Sequence, residues 1–453
     1  MKFNRKILSC IIVAAMTMPM LMTGCAGTAV ETTAPAATAA ETTDAAEAAA
    51  TAAAEETTAA PKEEVTLKME EFSSSGGNEA TLAAMIDAFE TAYPYIKVDL
   101  QTIGYDDYFT QLQTKVSGGN TADLFELNYE NFVAYASAGA LYDLNDTIEA
   151  SGADLSGFYQ TALEAYQYEG DQYAIPDSFS NVVLVYNKDL FDQAGISYPT
   201  DAWTWADMTA AAETIRALGD DIYGLYRPIS FHEFFKASAQ NGGSLISEDG
   251  TAFTIDTPQN ISALTGMIDW VNGSNIMPNE EQLGGMGDWD LFESGRLGMI
   301  VTGIWCFGTF KDACDFNWDI SVEPGNTQKA THFFSNAYAV STNCEHPEEA
   351  LLLAQFLAGS KEATTLRVGA SWELPPVTYE DVTAAYLDQS DPENRQAVYD
   401  SLEFLITPPV VKQNAELQEI ITTYLNKALA GDLTVQEALT QCQAECESKI
   451  TLG

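Results

Sequence analysis

The chain has 453 residues, with 20 basic against 66 acidic side chains and a formal charge of −46. Nucleic acid is excluded as a partner, since phosphate binding needs a concentrated basic surface, and adhesion to anionic headgroups is disfavoured on the same ground. With 46% hydrophobic residues, including 20 Tyr, 21 Phe and 7 Trp, the chain can core two domains and is too large for one small module.

The N-terminus reads as a signal peptide over residues 1–24. Lys2, Arg5 and Lys6 form a cationic start. The apolar run Ile7 to Leu21 is too short to cross a ~30 Å hydrocarbon core comfortably as a helix. Leu21-Met22-Thr23-Gly24 ahead of Cys25 resembles a bacterial lipobox, with Met22 as a mild departure. That resemblance implies a diacylated Cys25 at the mature N-terminus, on the outer face of the cell membrane, and two acyl chains give stable anchoring. The alternative is an ordinary secretory peptide cut elsewhere. From Ala26 to about Glu64 the chain is almost wholly Ala, Thr and Glu, too poor in apolar surface to offset its ordering entropy. A flexible tether of this length spans on the order of 35 Å.

Val65, Leu67 and Met69 alternate as a strand, Ser73 to Asn78 form a loop, and Leu82, Ile86, Phe89 and Tyr93 recur at helical spacing. Ile96 to Leu100 alternates again, Tyr108 to Val116 reads as a helix closed by Gly118-Gly119, and Ala122 to Leu127 as a buried strand. Strands alternating with helices predict a parallel sheet. A second such unit starts near Asn181, where Val182 to Tyr186 is continuously apolar, as in a sheet covered on both faces. Further helices are predicted at Trp205–Leu218, Ile261–Val271 and Pro347–Leu357, and strands at Leu297–Thr302 and Ala337–Ser341. The chain from about Pro392 is largely helical, its last helix opened by a Thr434/Glu437 capping box. The expected fold class is therefore α/β, two lobes each built on a mostly parallel sheet flanked by helices. Ligands of such sheets bind beyond the carboxyl ends of the strands, which between two lobes is a cleft.

Cysteines imply no framework. After the signal peptide and Cys25, Cys306, Cys314, Cys344, Cys442 and Cys446 remain, an odd number. The histidines His232, His332 and His346 are scattered, so neither a metal site nor a cofactor is expected.

Tyr186-Asn187-Lys188-Asp189-Leu190-Phe191 with Gly195 and Trp203-Thr204-Trp205, and Phe292 to Met299 followed by Gly303-Ile304-Trp305, resemble two ordered blocks of the family 1 bacterial extracellular solute-binding proteins, the group that includes maltose-binding protein. Ala122 to Phe125, with Ala where the family has Pro, and Gly431 to Ala438 are similar to two further motifs. The resemblance runs from about Val65 to the end. It implies a periplasmic-binding-protein-like fold and a non-enzymatic receptor. Such a receptor closes around a small-molecule carbohydrate and delivers it to the transmembrane subunits of an ABC importer. Expected boundaries are 65–177 and 335–375 for the first lobe, 178–334 and 376–453 for the second.

Sugar recognition needs aromatic faces and hydroxyl-binding carboxylates and amides. Trp305 matches the family position where an aromatic stacks on ligand, the alternative being a core Trp. Asp288 and Trp289 sit in a Gly-rich loop. Phe72 and Ser73, Ser74 and Ser75 follow the first strand, and Asn128 and Tyr129 end the third. Asp177, Ser180 and Asn181 lie at the presumed first crossing between lobes, and Phe334 and Asn336 at the second, to contact ligand or only to shape a hinge. Trp372 and Glu373 precede Pro375-Pro376 in a loop that covers the cleft or is plain surface. Trp205 reads as packing its helix onto the lobe. Arg227 keeps open an anionic ligand such as glycerol phosphate. A secreted carbohydrate-active enzyme is the rival class, but no G-x-S-x-G, H-E-x-x-H or Walker-type loop is present.

Overall fold

The computed structural model describes residues 62–452. The signal peptide, Cys25 and nearly all of the Ala/Thr/Glu tether lie outside the described residues. Strand β1 (Val65–Glu71) opens the fold with Val65, Leu67 and Met69 buried and Thr66 and Lys68 exposed. Helix α1 (Glu79–Ala92) sets Leu82, Met85, Ile86 and Phe89 into the same core. Strand β2 (Ile96–Thr102) then pairs in parallel with β1 along its whole length. Helix α2 (Tyr105–Gly118) stops at Gly119, whose φ of +67° is left-handed. Strand β3 (Leu124–Asn128) returns parallel to β1, and the Asn128 side chain caps helix α3 (Tyr129–Ser137) by accepting the Asn131 N–H. A short hairpin of β4 (Gln167–Tyr168) and β5 (Asp171–Gln172) precedes the strand on which the molecule turns.

That strand, β6 (Ala174–Asn187), is longer than the sequence pattern predicts. The expected boundary near Asn181 falls inside it, because the polar run Asp177 to Asn181 finds its partner in β10 (Thr331–Val340), antiparallel, and the ladder satisfies backbone groups that would otherwise demand a loop. Beyond Asn181 the same strand pairs with β8 (Leu297–Gly303) and β9 (Trp318–Ser321), while β7 (Tyr223–Tyr226) adds in parallel to β8. Strand β10 meets β3 on its other side and a two-residue strand, β11 (Leu405–Ile406), at its start. The order is β2-β1-β3-β10-β6-β8-β7. Two α/β halves therefore share the antiparallel pair β6 and β10, and a register shift between Asn336 and Ala337 marks where β10 passes from one to the other.

Period two explains the apolar run of β6. Val182, Leu184 and Tyr186 enter one core with the helices Trp205–Arg216, Phe231–Gln240, Asn414–Leu429 and Val435–Lys449, whereas Val183 and Val185 enter another with Phe292, Phe307 and Phe310. The last helix opens on Thr434, which exchanges hydrogen bonds with Glu437. Cys442 and Cys446, one turn apart on it, are free thiols buried in the core. Trp205 is likewise a core residue, its indole N–H donating to Gln240 at 2.9 Å.

Gly224 on β7 lies against the backbone of the helix Trp205–Arg216: a Cβ there would sit 2.1 Å from the Ala212 carbonyl oxygen. Neither side can yield without moving an element. Gly224→Ala is expected to destabilise by about 2–3 kcal/mol, as overpacking does, measured by urea denaturation; parental stability would show that the contact is not rigid.

Candidate ligand-binding cleft

The carboxyl ends of β1, β3 and β8 point at one another across the β6/β10 crossing and enclose a cleft of about 350 Å³. One wall carries Phe72, Ser73 and Ser75 from the loop after β1, Tyr105 at the start of α2 and Asn128 at the end of β3. The opposite wall carries Trp305 just after β8, Trp289 and His232. Phe334 and Asn336 of β10 and Glu373 complete the lining.

The aromatic faces are held by neighbours. Phe72 meets Tyr105 edge-on at 5.4 Å, and Tyr105 remains 46% exposed at the surface. Trp305 and Phe334 form a T-shaped pair with centroids 5.3 Å apart, and Phe334 stacks on His332 at 3.9 Å. The Trp289 indole donates to Thr302 Oγ1 at 3.2 Å. The Gly303-x-Trp305 spacing has a steric reason. A Cβ on Gly303 would lie 1.9–2.2 Å from carbons of the Trp305 ring, so the ring lies directly against the Gly303 backbone.

Beneath the cleft is a buried ionic cluster. Arg367 Nη2 donates to both Asp177 oxygens, at 2.7 and 2.8 Å, and its guanidinium lies 4.1 Å from the Trp372 ring centroid. Glu126 Oε2 accepts the backbone N–H groups of Phe72 and Ser73 at 2.9 and 3.0 Å. Glu71 accepts from the Ser74 N–H, the Ser74 hydroxyl and Thr102. The Trp372 indole donates to the Ser73 carbonyl at 3.1 Å. Glu373 accepts from Ser178, Ser180 and Asn336. Burial raises the carboxyls of Glu71, Glu126 and Glu373. Burial pushes Asp177 up to about 7, against the Arg367 charge and with help from Glu373 and Glu71.

Of the residues singled out from sequence, Phe72, Ser73, Asn128, Trp289, Trp305, Asn336 and Glu373 line this cleft, with Phe334 and Ser75 beside them. Ser74, Asp177, Ser180, Asn181 and Trp372 are buried behind the wall, in hydrogen bonds that fix it: Asn181 donates to the Val398 carbonyl, and Trp372 is a core residue instead of a covering loop. Asp288 accepts the backbone N–H of Trp289 at 3.0 Å and is not among the lining residues. The Tyr129 ring packs edge-on against Tyr166. Tyr105 and His232 were not foreseen. Both follow parallel strands, β2 and β7, and the strand-end rule that pointed to Phe72 and Asn128 also points to them. Arg227, the candidate anion ligand, is spent on Glu233 at 2.8 Å and Gln240 at 3.0 Å, and is 1% exposed.

Two outcomes follow from this geometry. Gly303→Ala should leave the fold intact while displacing the Trp305 ring, seen as altered near-UV dichroism and tryptophan emission; unchanged spectra would contradict the contact. The carboxyl cluster sets a pH dependence. An acid whose pKa is higher folded than unfolded lends stability that is full below the ordinary carboxylate range and lost as pH rises to the folded value. The cluster's contribution to the unfolding free energy should therefore fall between about pH 4 and the value of about 7 carried by Asp177. Glu126→Gln should make urea-derived stability fall less steeply, by at most about 1.4 kcal/mol per pH unit, one proton's worth; a slope equal to the parent's would contradict the raised carboxyl.

A family model described as bacterial extracellular solute-binding protein matches residues 84–395. An ABC substrate-binding protein from Listeria monocytogenes, solved in complex with cycloalternan, is 42% identical, with a TM-score of 0.82 over 85% of this chain and 99% of that one. A binding protein of Brucella abortus is 25% identical over 60% of this chain and 66% of its own length. The arabinooligosaccharide-binding protein of Halalkalibacterium halodurans is 23% identical over 48% of each chain. The matches to these two curated relatives thus span 66% and 48% of their lengths. The fold is the two-lobed one of this group, and the chain belongs to the bacterial extracellular solute-binding proteins.

Proposed function

We propose that this chain captures an extracellular oligosaccharide, an α-gluco-oligosaccharide of the cycloalternan kind first, and delivers it to the transmembrane subunits of an ABC importer without chemical change. The observation that carries this reading is the cleft lining: Trp305, Trp289 and Phe334 on one side face Phe72 and Tyr105 on the other, with Glu373, Asn128, Asn336 and Ser73 between them. Aromatic faces suit the C–H faces of sugar rings, and carboxylate, amide and hydroxyl groups suit sugar hydroxyls. The ligand of the Listeria relative favours an α-glucan among carbohydrates. A phosphate ligand is disfavoured, since Arg227 is committed to Glu233 and Glu323.

On this reading residues 65–177 with 335–375 form one lobe and 178–334 with 376–453 the other, turning about β6 and β10. Ligand selects the closed form because only there is it touched from both sides. Lipidation of Cys25 and anchoring to the outer face of the membrane complete the proposal. Cys25→Ser is expected to move the protein from the membrane fraction to the medium.

Isothermal titration of the chain from residue 25 onward tests the ligand. Cycloalternan or a linear α-gluco-oligosaccharide should bind at micromolar Kd or tighter, about −8 kcal/mol, and be recovered unaltered after prolonged incubation. Trp305→Ala should weaken binding at least about tenfold, about 1.4 kcal/mol. Binding confined to glycerophosphocholine, or consumption of the sugar, would overturn the reading.

A further inference from the structure

Two of the three histidines that are scattered in sequence, His232 and His332, converge in space. His232 Nε2 lies 3.0 Å from Glu130 Oε2, and His332 Nε2 lies 3.2 Å from Glu130 Oε1. One ligand atom from each of the three residues falls within 4.8 Å of the others. Glu130 is 3% and His332 1% exposed, whereas His232 opens onto the ligand cleft. We propose that Glu130, His232 and His332 form a binding site for a divalent transition-metal ion, zinc first, with the fourth position open toward the cleft.

The donor chemistry selects the ion. Two imidazole nitrogens and one carboxylate oxygen make a three-ligand set that leaves room for water or another oxygen on a tetrahedral metal. Calcium and magnesium want six or more oxygens and are disfavoured. Ligands bound at 2.0–2.2 Å in a tetrahedral site stand roughly 3.3 Å apart, close to the separations from Glu130 to each histidine. Two imidazoles sharing such a metal have ring centroids on the order of 5 Å apart; here the value is 5.1 Å. Modest ring movement brings the two nitrogens to a common ion.

The surroundings hold this geometry. Gln418 Nε2 donates to Glu130 Oε2 at 2.8 Å, leaving Oε1 for a metal, and Phe334 stacked on His332 fixes that ring. Among the described residues His332 Nδ1 has no hydrogen-bond partner. It would carry the proton once Nε2 is bound, so the affinity should fall short of a structural zinc site. Glu130 comes from α3, in the half built on β1 to β3, and His232 from the helix Phe231–Gln240 beside the other. An ion here would tie the two halves beside the cleft, and metal and cleft ligand would each change the other's affinity by one factor.

The test needs no sugar. The chain from residue 25 onward, with Cys25→Ser and stripped with a chelator, is titrated with zinc by calorimetry and with cobalt by visible absorption. Expected are one equivalent of zinc at micromolar affinity or tighter, a raised Tm, and the absorption bands of tetrahedral cobalt. His232→Gln, on a partly exposed side chain, and Glu130→Gln should each lower affinity at least tenfold and remove those bands, with circular dichroism confirming the fold. No zinc binding, cobalt bands dominated by thiolate charge transfer, or unchanged affinity in His232→Gln would overturn the site.

Discussion

The guanidinium of Arg367 is the point from which the floor of the cleft is organised. It is fully buried and paired with Asp177, which sits on β6 where the two halves share strands. Its face covers Trp372, and Glu373 lies 3.7 Å away. Through these contacts one side chain fixes the crossing strand and the segment 372–374, and, through the Trp372 indole, the loop after β1. Removing one partner of a buried ion pair costs about 3–5 kcal/mol, because the other charge is left unpaired. The arrangement is short of positive charge: Glu71, Glu126, Asp177 and Glu373 are all buried, and among the described residues Arg367 is the cation that pairs with Asp177 and lies beside Glu373. Burial raises these carboxyls, which favours their protonated forms and lessens the repulsion among them.

Above this floor, precision comes from the strand ends. Trp305 lies flat where β8 finishes because Gly303 offers no side chain to push it away. Asn128 ends β3 and begins α3, so one amide both caps a helix and lines the cleft. Phe72 is gripped by Tyr105, Tyr108 and Phe109 while its backbone N–H is held by Glu126. Groups that line the cleft are thus held by their neighbours, which would lower the ordering cost of binding for the ligand proposed above.

Local order was legible in the sequence wherever a period or a cap announces it. Val65, Leu67 and Met69 alternate because β1 has a buried face; Val182 to Tyr186 do not, because β6 is covered on both faces; Thr434 and Glu437 start the last helix by reciprocal hydrogen bonds. What depends on pairing between distant segments was not legible. Asp177, Ser180 and Asn181 read as a polar crossing that contacts ligand or only shapes a hinge, and the sequence alone does not choose; β10 and Arg367 bury them in the crossing strand. Trp372 reads as part of a loop that covers the cleft or is plain surface and is core instead, because its indole partner Ser73 comes from a remote stretch of chain. His232 and His332 read as scattered because only the fold brings them onto Glu130. Tyr105 could have been found by applying the strand-end rule to β2 as well as to β1 and β3, whereas His232 follows β7, a strand that no sequence pattern announced.

The proposed function places a carbohydrate in the cleft at the β6/β10 crossing, between aromatic faces from both halves and over a buried charged floor. The most direct measurement is a crystal structure of the chain with the oligosaccharide that calorimetry identifies. Expected are sugar rings against Trp305 and a second aromatic wall, hydroxyls within hydrogen-bond distance of Glu373 or Asn336, and the Arg367–Asp177 pair unchanged beneath them. Density for the sugar elsewhere, with Trp305 and Glu373 untouched, would contradict it.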